Sequence, residues 1–463
     1  MKRFLWLGFA LFLCVVCSGC GETFRPIIIP IPPQFPNPAA AHTVVSINDN
    51  GTLVPGTAMV IDVSGDSDES VANVGLAPVH AVQQTATVAL VVNHSVTGAV
   101  ADSITKLNFS GTTIITDPLP PTITLPPNSA PNFVATTESS QAYVLLPNYV
   151  DPATNVVVPS VGVVTTSNTT NSLVATFPVG NNPDAMAETP NGRELYVANQ
   201  ADNSIDGFNT AVRNLSPRTG STVNGSFNGP LWLIARSDSQ RLYVLNGNGV
   251  VSTVDTSTTL GPDTMIDASI HVPGAAYMLY DGNLNRLYIP GGTQLTILDV
   301  SQSIPAVLAG PITIPTVAPS SRGASDPCSI TSAQPLTVAA VAALPDGSRA
   351  YVGAYYEDAS DNFCPQVTVI DAASNTIKSY FAIPGFPAYD AFCSPAQSPR
   401  APRFRIMMAA GGDSSRAYLS SCDGGNVNFI DTSSDTYILN LSAPTGSRLD
   451  NPPQNPVFLF AGP

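Results

Sequence analysis

Charged residues are scarce in this chain, since Asp, Glu, Lys and Arg make up only 11% of its 463 residues. An ordinary soluble domain carries about 25%. Lysine occurs only as Lys2, Lys106 and Lys378, and acids outnumber bases by 33 to 18. This composition excludes a coiled coil, a charged disordered protein and a polybasic nucleic-acid binder.

Signatures of catalysis and of metal binding are also missing. The chain contains no G-x-S-x-G, no H-E-x-x-H and no P-loop motif. Its four histidines, His42, His80, His94 and His271, are scattered, and none has metal-ligand spacing with another. We therefore predict no catalytic residue, no metal and no cofactor from the sequence.

The N-terminus has the pattern of an export signal. Met1-Lys2-Arg3 precedes an apolar run from Phe4 to Cys17, which is too short to cross a hydrocarbon core of about 30 Å and fits a signal-peptide core. The run ends in Cys17-Ser18-Gly19-Cys20, which resembles a bacterial lipobox. This resemblance implies a signal peptide over 1–19, lipidation (palmitate included) at Cys20, and a place in the outer membrane; an ordinary secretory signal is the alternative.

A proline-rich segment follows. Six prolines lie within residues 24–41, and proline cannot continue a helix. We read 20–42 as an extended tether. Removing Lys2 and Arg3 leaves 16 basic against 33 acidic residues, a net charge of −17. Nucleic acid and anionic lipid surfaces are therefore unfavourable partners, so contact with a membrane would depend on the N-terminal lipid.

From residue 43 onward the chain repeats a unit of about 45 to 70 residues. Each unit has a polar turn, an apolar run with a tyrosine, a gap, and an alternating strand that ends in a polar residue. The tyrosines are Tyr143, Tyr196, Tyr243, Tyr288, Tyr351 and Tyr418, and the strand-ending residues are Asp62, Asn108, Thr165, Asn209, Asp255, Asp299, Asp371 and Asp431. Asn182-PDAMAETPNGRELYVAN and Leu344-PDGSRAYV with Val367-TVIDA show the unit best.

These units resemble the repeat of YVTN-type β-propellers, a superfamily with a lactonase-like branch. The resemblance implies an all-β fold, a single propeller of four-stranded blades over 43–463, with seven or eight blades. We favour eight, with Val457 to Ala461 completing a blade that residues 43–77 begin. We interpret the strand-ending acids as turn residues rather than Ca²⁺ ligands. The arginines just before the tyrosines are expected to be exposed, and the tyrosines buried.

The propeller topology also bears on the cysteines. Cys328, Cys364, Cys393 and Cys422 allow three pairings, and an exported protein can form disulfides. In a blade, the connection that enters strand one and the connection between strands two and three lie at the same end. This favours Cys328–Cys364 and Cys393–Cys422 over crossed pairing or free thiols.

Two long connections, placed at Ser301 to Leu336 and at Pro384 to Arg403, are predicted to share one face. The second carries Arg400, Arg403 and Arg405, a basic cluster that we consider a candidate binding loop. We expect a lipid-anchored envelope protein whose propeller is a binding or structural module for a protein or glycan on that face. The alternative is a lactonase-like hydrolase acting on a sugar lactone, which the scattered histidines do not favour.

Overall fold

In the computed structural model, the described residues are 43–462 except for 96–100, 116–121, 138–139, 168–169, 212–213, 259–261, 330–334, 388–389, 395–397, 399–400 and 447–452. The signal peptide, the tether and Cys20 lie outside these residues. No helix within the described part is long and apolar enough to cross a bilayer.

Almost all regular structure is β-strand, arranged as eight blades. Blade 1 contains β1 (Thr43–Asp49), β2 (Thr57–Asp62) and β3 (Ser67–Asn73). Blade 2 contains β4 (Pro78–Thr85), β5 (Val88–Asn93), β6 (Ser103–Ser110), β7 (Thr113–Ile115) and β8 (Thr122–Thr124). Blade 3 contains β9 (Val134–Ala135), β10 (Gln141–Leu146), the ribbon of β11 (Val150–Asp151) and β12 (Val156–Val157), β13 (Ser160–Thr166) and β14 (Asn171–Pro178).

The next three blades are continuous in sequence. Blade 4 contains β15 (Pro183–Glu188), β16 (Glu194–Asn199), β17 (Ser204–Ala211) and β18 (Asn214–Thr222). Blade 5 contains β19 (Pro230–Ala235), β20 (Arg241–Asn246), β21 (Val250–Asp255) and β22 (Thr264–His271). Blade 6 contains β23 (Leu279–Asp281), β24 (Arg286–Gly291), β25 (Gln294–Asp299) and β26 (Ala306–Thr313).

The last two blades carry the long inserts. Blade 7 contains β27 (Thr337–Ala343), β28 (Arg349–Glu357), β29 (Phe363–Asp371) and β30 (Thr376–Ala382). Blade 8 contains β31 (Ile406–Ala410), β32 (Arg416–Ser421), β33 (Asn426–Asp431) and β34 (Thr436–Ser442). Short 3-10 helices occur at Pro319–Ser321, Pro327–Ser329 and Ala391–Cys393.

The final strand, β35 (Asn455–Ala461), closes the ring. It pairs antiparallel with β1, with Val44 opposite Ala461 and Ser46 opposite Leu459, and it forms the innermost strand of blade 1 in the order β3-β2-β1-β35. The predicted eight blades and the split first blade are therefore confirmed. Joining the two ends in one sheet pairs the inner edge of β1 and completes blade 1 to four strands.

The strand-ending acids make turns, as their pattern predicts. Asp62 Oδ1 accepts a hydrogen bond from the Ser64 backbone N–H at 3.0 Å, and Asp299 Oδ1 accepts one from the Ser301 N–H at 2.8 Å. The same contact recurs at the ends of β21, β29 and β33. Each acid satisfies a backbone donor in the hairpin to the outermost strand, a structural role that explains its repetition.

The repeated tyrosines are fully buried, but four of the arginines before them were interpreted wrongly. Their guanidinium groups contact neighbouring hairpins instead of pointing freely into solvent. Arg286 donates to the Ala372 carbonyl of blade 7 at 2.5 Å, and Arg416 pairs with Asp66 of blade 1 at 2.9 Å. Arg241 donates to the Ser303 carbonyl of blade 6 at 3.1 Å, and Arg349 pairs with Asp435 of blade 8. Only Arg193 is exposed as expected. The sequence pattern could not show these contacts because the partners lie in other repeats.

One predicted insert boundary is also wrong. Residues Ala306–Thr313 form β26, the outermost strand of blade 6, so the connection to blade 7 spans 314–336. This strand is exposed along most of its length, and it therefore lacks the apolar alternation that marks an inner strand. The second insert runs from residue 383 to 405, between β30 and β31.

Both predicted disulfides are present. Cys328 and Cys364 have Cα atoms 5.9 Å apart, and Cys393 and Cys422 have Cα atoms 5.8 Å apart. Each bond joins an insert to the blade that the insert enters: Cys364 lies at the start of β29, strand three of blade 7, and Cys422 lies between strands two and three of blade 8. The inserts also contact each other, since Arg322 donates to the Ile383 carbonyl at 3.1 Å. The two inserts therefore share one face, here called the upper face.

Candidate functional site

The innermost strands of the eight blades surround a central channel that contains two cavities. An upper cavity of about 690 Å³ lies on the side of the upper face, and a lower cavity of about 530 Å³ lies towards the hairpins that join strands one and two. Successive channel-facing residues of one strand reach both: on β15, Asp184 lines the upper cavity, whereas Met186 and Glu188 line the lower one.

A group of stacked rings, which we call the aromatic seal, lies between the cavities. His80 stacks on Phe133 with ring centroids 4.0 Å apart, and Phe133 meets the edge of Trp232 at 5.8 Å. The seal consists of His80, Phe133, Trp232, Tyr277, Phe404 and Phe458. His80 and Phe458 line both cavities. These edge-on contacts are the arrangement that aromatic rings prefer.

The second insert supplies part of this seal. Its last residues turn into the channel, where Arg403 lies over the Trp232 ring with the guanidinium carbon 4.8 Å from the centroid. Arg403 also pairs with Asp184 Oδ2 at 3.0 Å and donates to the Leu231 carbonyl. Phe404 packs against Trp232 and Tyr277. The insert thus fixes its end through contacts with blades 4, 5 and 6 across the channel.

The predicted basic cluster has a different geometry from the one its sequence suggests. Arg405 is buried, and its Nε lies 2.7 Å from Asp423 Oδ2. Its Nη1 contacts Glu357. Arg403 points into the channel, and Arg400 lies outside the described residues. Both described arginines therefore hold the insert in place, and a role of this loop in binding stays a prediction.

The insert roofs the upper cavity. Phe392, Ala401 and Pro402 line it together with Arg403 and Phe404. Cys393 is bonded to Cys422, and the Asp390 N–H donates to Asp423 Oδ1 at 3.0 Å. A roof that is held by a covalent bond and an ion pair gives the cavity a defined shape before any ligand enters.

Two histidines that are separated in the sequence line this same cavity. His94 Nδ1 lies 3.2 Å from Asp102 Oδ1. Asp102 is buried and also accepts bonds from the Ser95 N–H and from the Ser129 hydroxyl. A carboxylate beside Nδ1 favours the tautomer that leaves Nε2 as a proton acceptor. Sequence reasoning missed the His94–Asp102 pair, whose members lie just beyond the Asn93–Ser103 end of the β5–β6 pairing.

His80 is in a different environment. Burial, together with the nearby Arg403, lowers the pKa of His80 to about 3. Its imidazole is therefore neutral and acts as one of the rings of the seal, with Nδ1 3.4 Å from the Val134 N–H. A neutral, buried His80 is poorly placed to serve as an acid near neutral pH.

One group among the described residues has metal-like ligand spacing: Cys328, Asp358 and Cys364. Its two sulfurs are joined to each other. A zinc ion requires thiolates, so this group in its oxidised state is a disulfide next to a carboxylate.

Comparisons with known proteins show what the fold is similar to. No protein-family model matches the chain, and no curated protein matches it. Among solved structures, it is similar to AztD from Citrobacter koseri, with TM-score 0.55 and 10% identity over 90% of this chain and 96% of AztD. It is also similar to the dihydro-heme d1 dehydrogenase NirN, with TM-score 0.56 and 11% identity over 91% of this chain and 75% of NirN.

A third structure, a putative 6-phosphogluconolactonase from Bacteroides fragilis, has TM-score 0.47 and 11% identity, covering 90% of this chain and 97% of that protein. At these identities the similarities concern architecture and carry no activity or ligand with them. The chain is an eight-bladed β-propeller of four-stranded blades, the fold that its YVTN-like repeat predicts.

Proposed function

We propose that this chain is an envelope-anchored lipoprotein whose propeller is a binding module, and that its partner inserts a sugar unit into the upper cavity. One observation carries the proposal: a disulfide-bonded insert enters the channel and roofs a cavity of about 690 Å³. Small-molecule sites typically measure about 300–1,000 Å³. Irregular loops held on a rigid scaffold are where binding commonly occurs.

The lining favours a glycan over the other predicted partner, a protein. Planar polar side chains of Asp49, Asn132 and Asp184 line the cavity beside the rings of Phe392 and Phe404. Carboxylates and amides can bond to neighbouring hydroxyls, while a ring stacks on the apolar face of a sugar. The net charge of −15, or −17 once residues 1–19 are removed, opposes polyanionic partners.

Binding can be tested by filling the cavity. Purified full-length chain in detergent would be passed over immobilised peptidoglycan. We expect retention, and its loss in Ala401→Trp, because the new ring occupies the cavity under its roof. Ala373→Trp is the matched control, since Ala373 is exposed in the hairpin between β29 and β30. Equal retention of both variants would contradict the proposal.

The anchor is tested separately by mass. Processing at the lipobox would remove residues 1–19 and add acyl chains to Cys20, each buried methylene contributing about 0.8 kcal/mol to membrane binding. Intact-mass analysis should show both changes, and Cys20→Ser should abolish them. An unmodified chain, or cleavage at another residue, would exclude the anchor without bearing on the cavity.

One observation favours a second candidate, hydrolysis of a sugar lactone. The buried Asp102 orients His94 at the edge of the upper cavity, and an oriented imidazole can take a proton from water as it attacks a carbonyl carbon. As the ring C–O bond breaks, the His94 imidazolium returns this proton to the departing alkoxide. If this occurs, hydrolysis of a δ-lactone should fall at least a hundredfold in His94→Gln and stay unchanged in His271→Gln, at an exposed position.

A further inference from the structure

The lower cavity has acids at its open end and no cationic side chain among the described residues that line it. Glu188 and Asp281 line it near the hairpins between strands one and two, where the exposed Asn283 shows that the cavity reaches the surface. Among the described residues, no Lys or Arg lines this cavity, and the histidine that lines it, His80, is neutral at physiological pH. The charge of Arg286 partly offsets the effect of burial on the pKa of Asp281, but its guanidinium bonds to the Ala372 carbonyl and does not line the cavity. The charged side chains of the described lining are therefore acids.

Asp281 has a carboxylate oxygen without a partner. Its Oδ1 accepts hydrogen bonds from the Asn283 N–H at 3.0 Å and the Leu284 N–H at 3.3 Å. Its Oδ2 is buried and has no hydrogen-bond partner among the described residues, and only 7% of the residue is exposed. Burial raises the pKa of Asp281. A buried carboxylate oxygen without a donor is costly, and a cation at this oxygen would offset the cost.

Deeper in the cavity the walls are apolar. Met186, Leu233, Leu279, Val341 and Met408 line it, and the Phe133 and Trp232 rings of the aromatic seal form its inner end. Methionine and aromatic side chains adapt to irregular apolar ligands. A bare metal ion would find few oxygen ligands among these walls, whereas a hydrocarbon body would bury its surface against them.

We propose that the lower cavity binds an organic cation with an apolar body, its ammonium at the mouth between Glu188 and Asp281 and its apolar part against the aromatic seal. The two acids end the innermost strands of blades 4 and 6, on either side of blade 5, and both line the cavity. This site is independent of the proposed glycan site, because the seal separates the two cavities.

Tryptophan fluorescence can detect this binding. The chain has two tryptophans, Trp6 and Trp232, so full-length Trp6→Phe protein reports from Trp232 alone. Benzyltrimethylammonium is the probe, and its uncharged carbon isostere, 2,2-dimethylpropylbenzene, is the matched ligand control. We expect saturable quenching by the ammonium compound, with at least fivefold weaker binding of the isostere. Equal binding of both ligands would overturn the proposal.

Variants locate the charge. Asp281→Asn keeps the carbonyl that accepts the two turn bonds, so the hairpin should fold, and affinity for the ammonium probe should fall about fivefold. In the double variant Glu188→Gln with Asp281→Asn, affinity for the ammonium probe should fall at least twentyfold. Asp299→Asn, another turn aspartate of blade 6, and Ala401→Trp in the upper cavity should bind as the parent does. Unchanged affinity in the double variant, with an unchanged melting temperature, would exclude this site.

Discussion

Arg403 and Trp232 stack at 4.8 Å across the channel, although one belongs to the insert before blade 8 and the other to the innermost strand of blade 5. Trp232 in turn contacts Phe133, Tyr277 and Phe404. This pair therefore joins a non-repeating insert to several repeating blades. Through this contact the insert packs into the centre of the propeller and is not only a surface loop.

Removing the Arg403 guanidinium should loosen this joint. Arg403→Ala loses a cation–π contact worth about 0.5–2 kcal/mol and leaves Asp184 without its ion-pair partner. We expect the free energy of unfolding to fall by about 1–3 kcal/mol in urea titrations, with a red shift of Trp232 emission. Arg193→Ala, at an exposed hairpin position, should change neither. A blue-shifted or unaltered emission in Arg403→Ala would contradict the stacking.

The disulfides should matter for stability and for the roof in different ways. Each closes a loop with a sequence separation of 36 or 29 residues, so its loss should lower the free energy of unfolding by about 3–4 kcal/mol on the chain-entropy model. Cys393→Ser with Cys422→Ser should in addition expose the end of the second insert to proteases, because this bond anchors the roof of the upper cavity.

Cys328→Ser with Cys364→Ser is the control for that comparison, since it removes an equivalent bond from the other insert. Peptide mapping without reductant checks the pairing directly. A peptide that joins Cys364 to Cys393, or free thiols in exported protein, would show that the pairing is wrong.

Local features explain why the blades were predictable. A strand, its hairpin and an acid such as Asp299 at the strand end all lie within a few residues, so each repeat carries its own signal. The closing strand was predictable because an apolar strand without a following partner needs a sheet edge. The disulfides followed because blade topology places the two cysteines of each pair at one end.

The site was not predictable for the opposite reason. The aromatic seal takes one ring from each of five of the eight blades, and Phe404 comes from an insert outside the repeat, so no spacing marks these rings. The sequence places Arg405 in a basic patch because its acidic partners, Glu357 and Asp423, lie in other segments. The His94–Asp102 pair needed the β5–β6 register, which propensity alone does not fix.

His80 should make the protein sensitive to acid. Its pKa is about 3 in the folded state against about 6.5 when unfolded, so the unfolded chain binds the extra proton between these values. Stability contributed by neutral His80 is therefore lost as pH falls below about 6.5. Between pH 6.5 and pH 3, each fall of one pH unit lowers the free energy of unfolding by about 1.4 kcal/mol.

Replacing His80 with phenylalanine should remove this pH-dependent contribution to the free energy of unfolding and keep a ring between Phe133 and Phe458. We expect the loss of free energy of unfolding between pH 7 and pH 4.5 to be about 2–3 kcal/mol smaller in His80→Phe than in the parent. His271→Phe, at an exposed histidine, should retain the parental pH dependence. Parallel curves for parent and His80→Phe would show that His80 titrates normally.

Ring closure by β35 should govern the stability of the whole propeller. Leu459 is buried opposite Ser46 of β1 and packs with Val44, Met59 and Phe429. Leu459→Ala should lower the free energy of unfolding by about 2–4 kcal/mol, as truncation of a buried leucine does, whereas Val174→Ala on the exposed outer strand β14 should change it by less than about 0.5 kcal/mol.

Hydrogen exchange in the Leu459→Ala variant separates a global effect on the ring from local fraying of blade 1. If closure holds the ring together, Leu459→Ala should speed exchange of the slowest amides in blades 4 and 5, which lie far from β35 in the strand order. Faster exchange confined to β1 and β35 would mean that the ring stays closed without this strand's full packing.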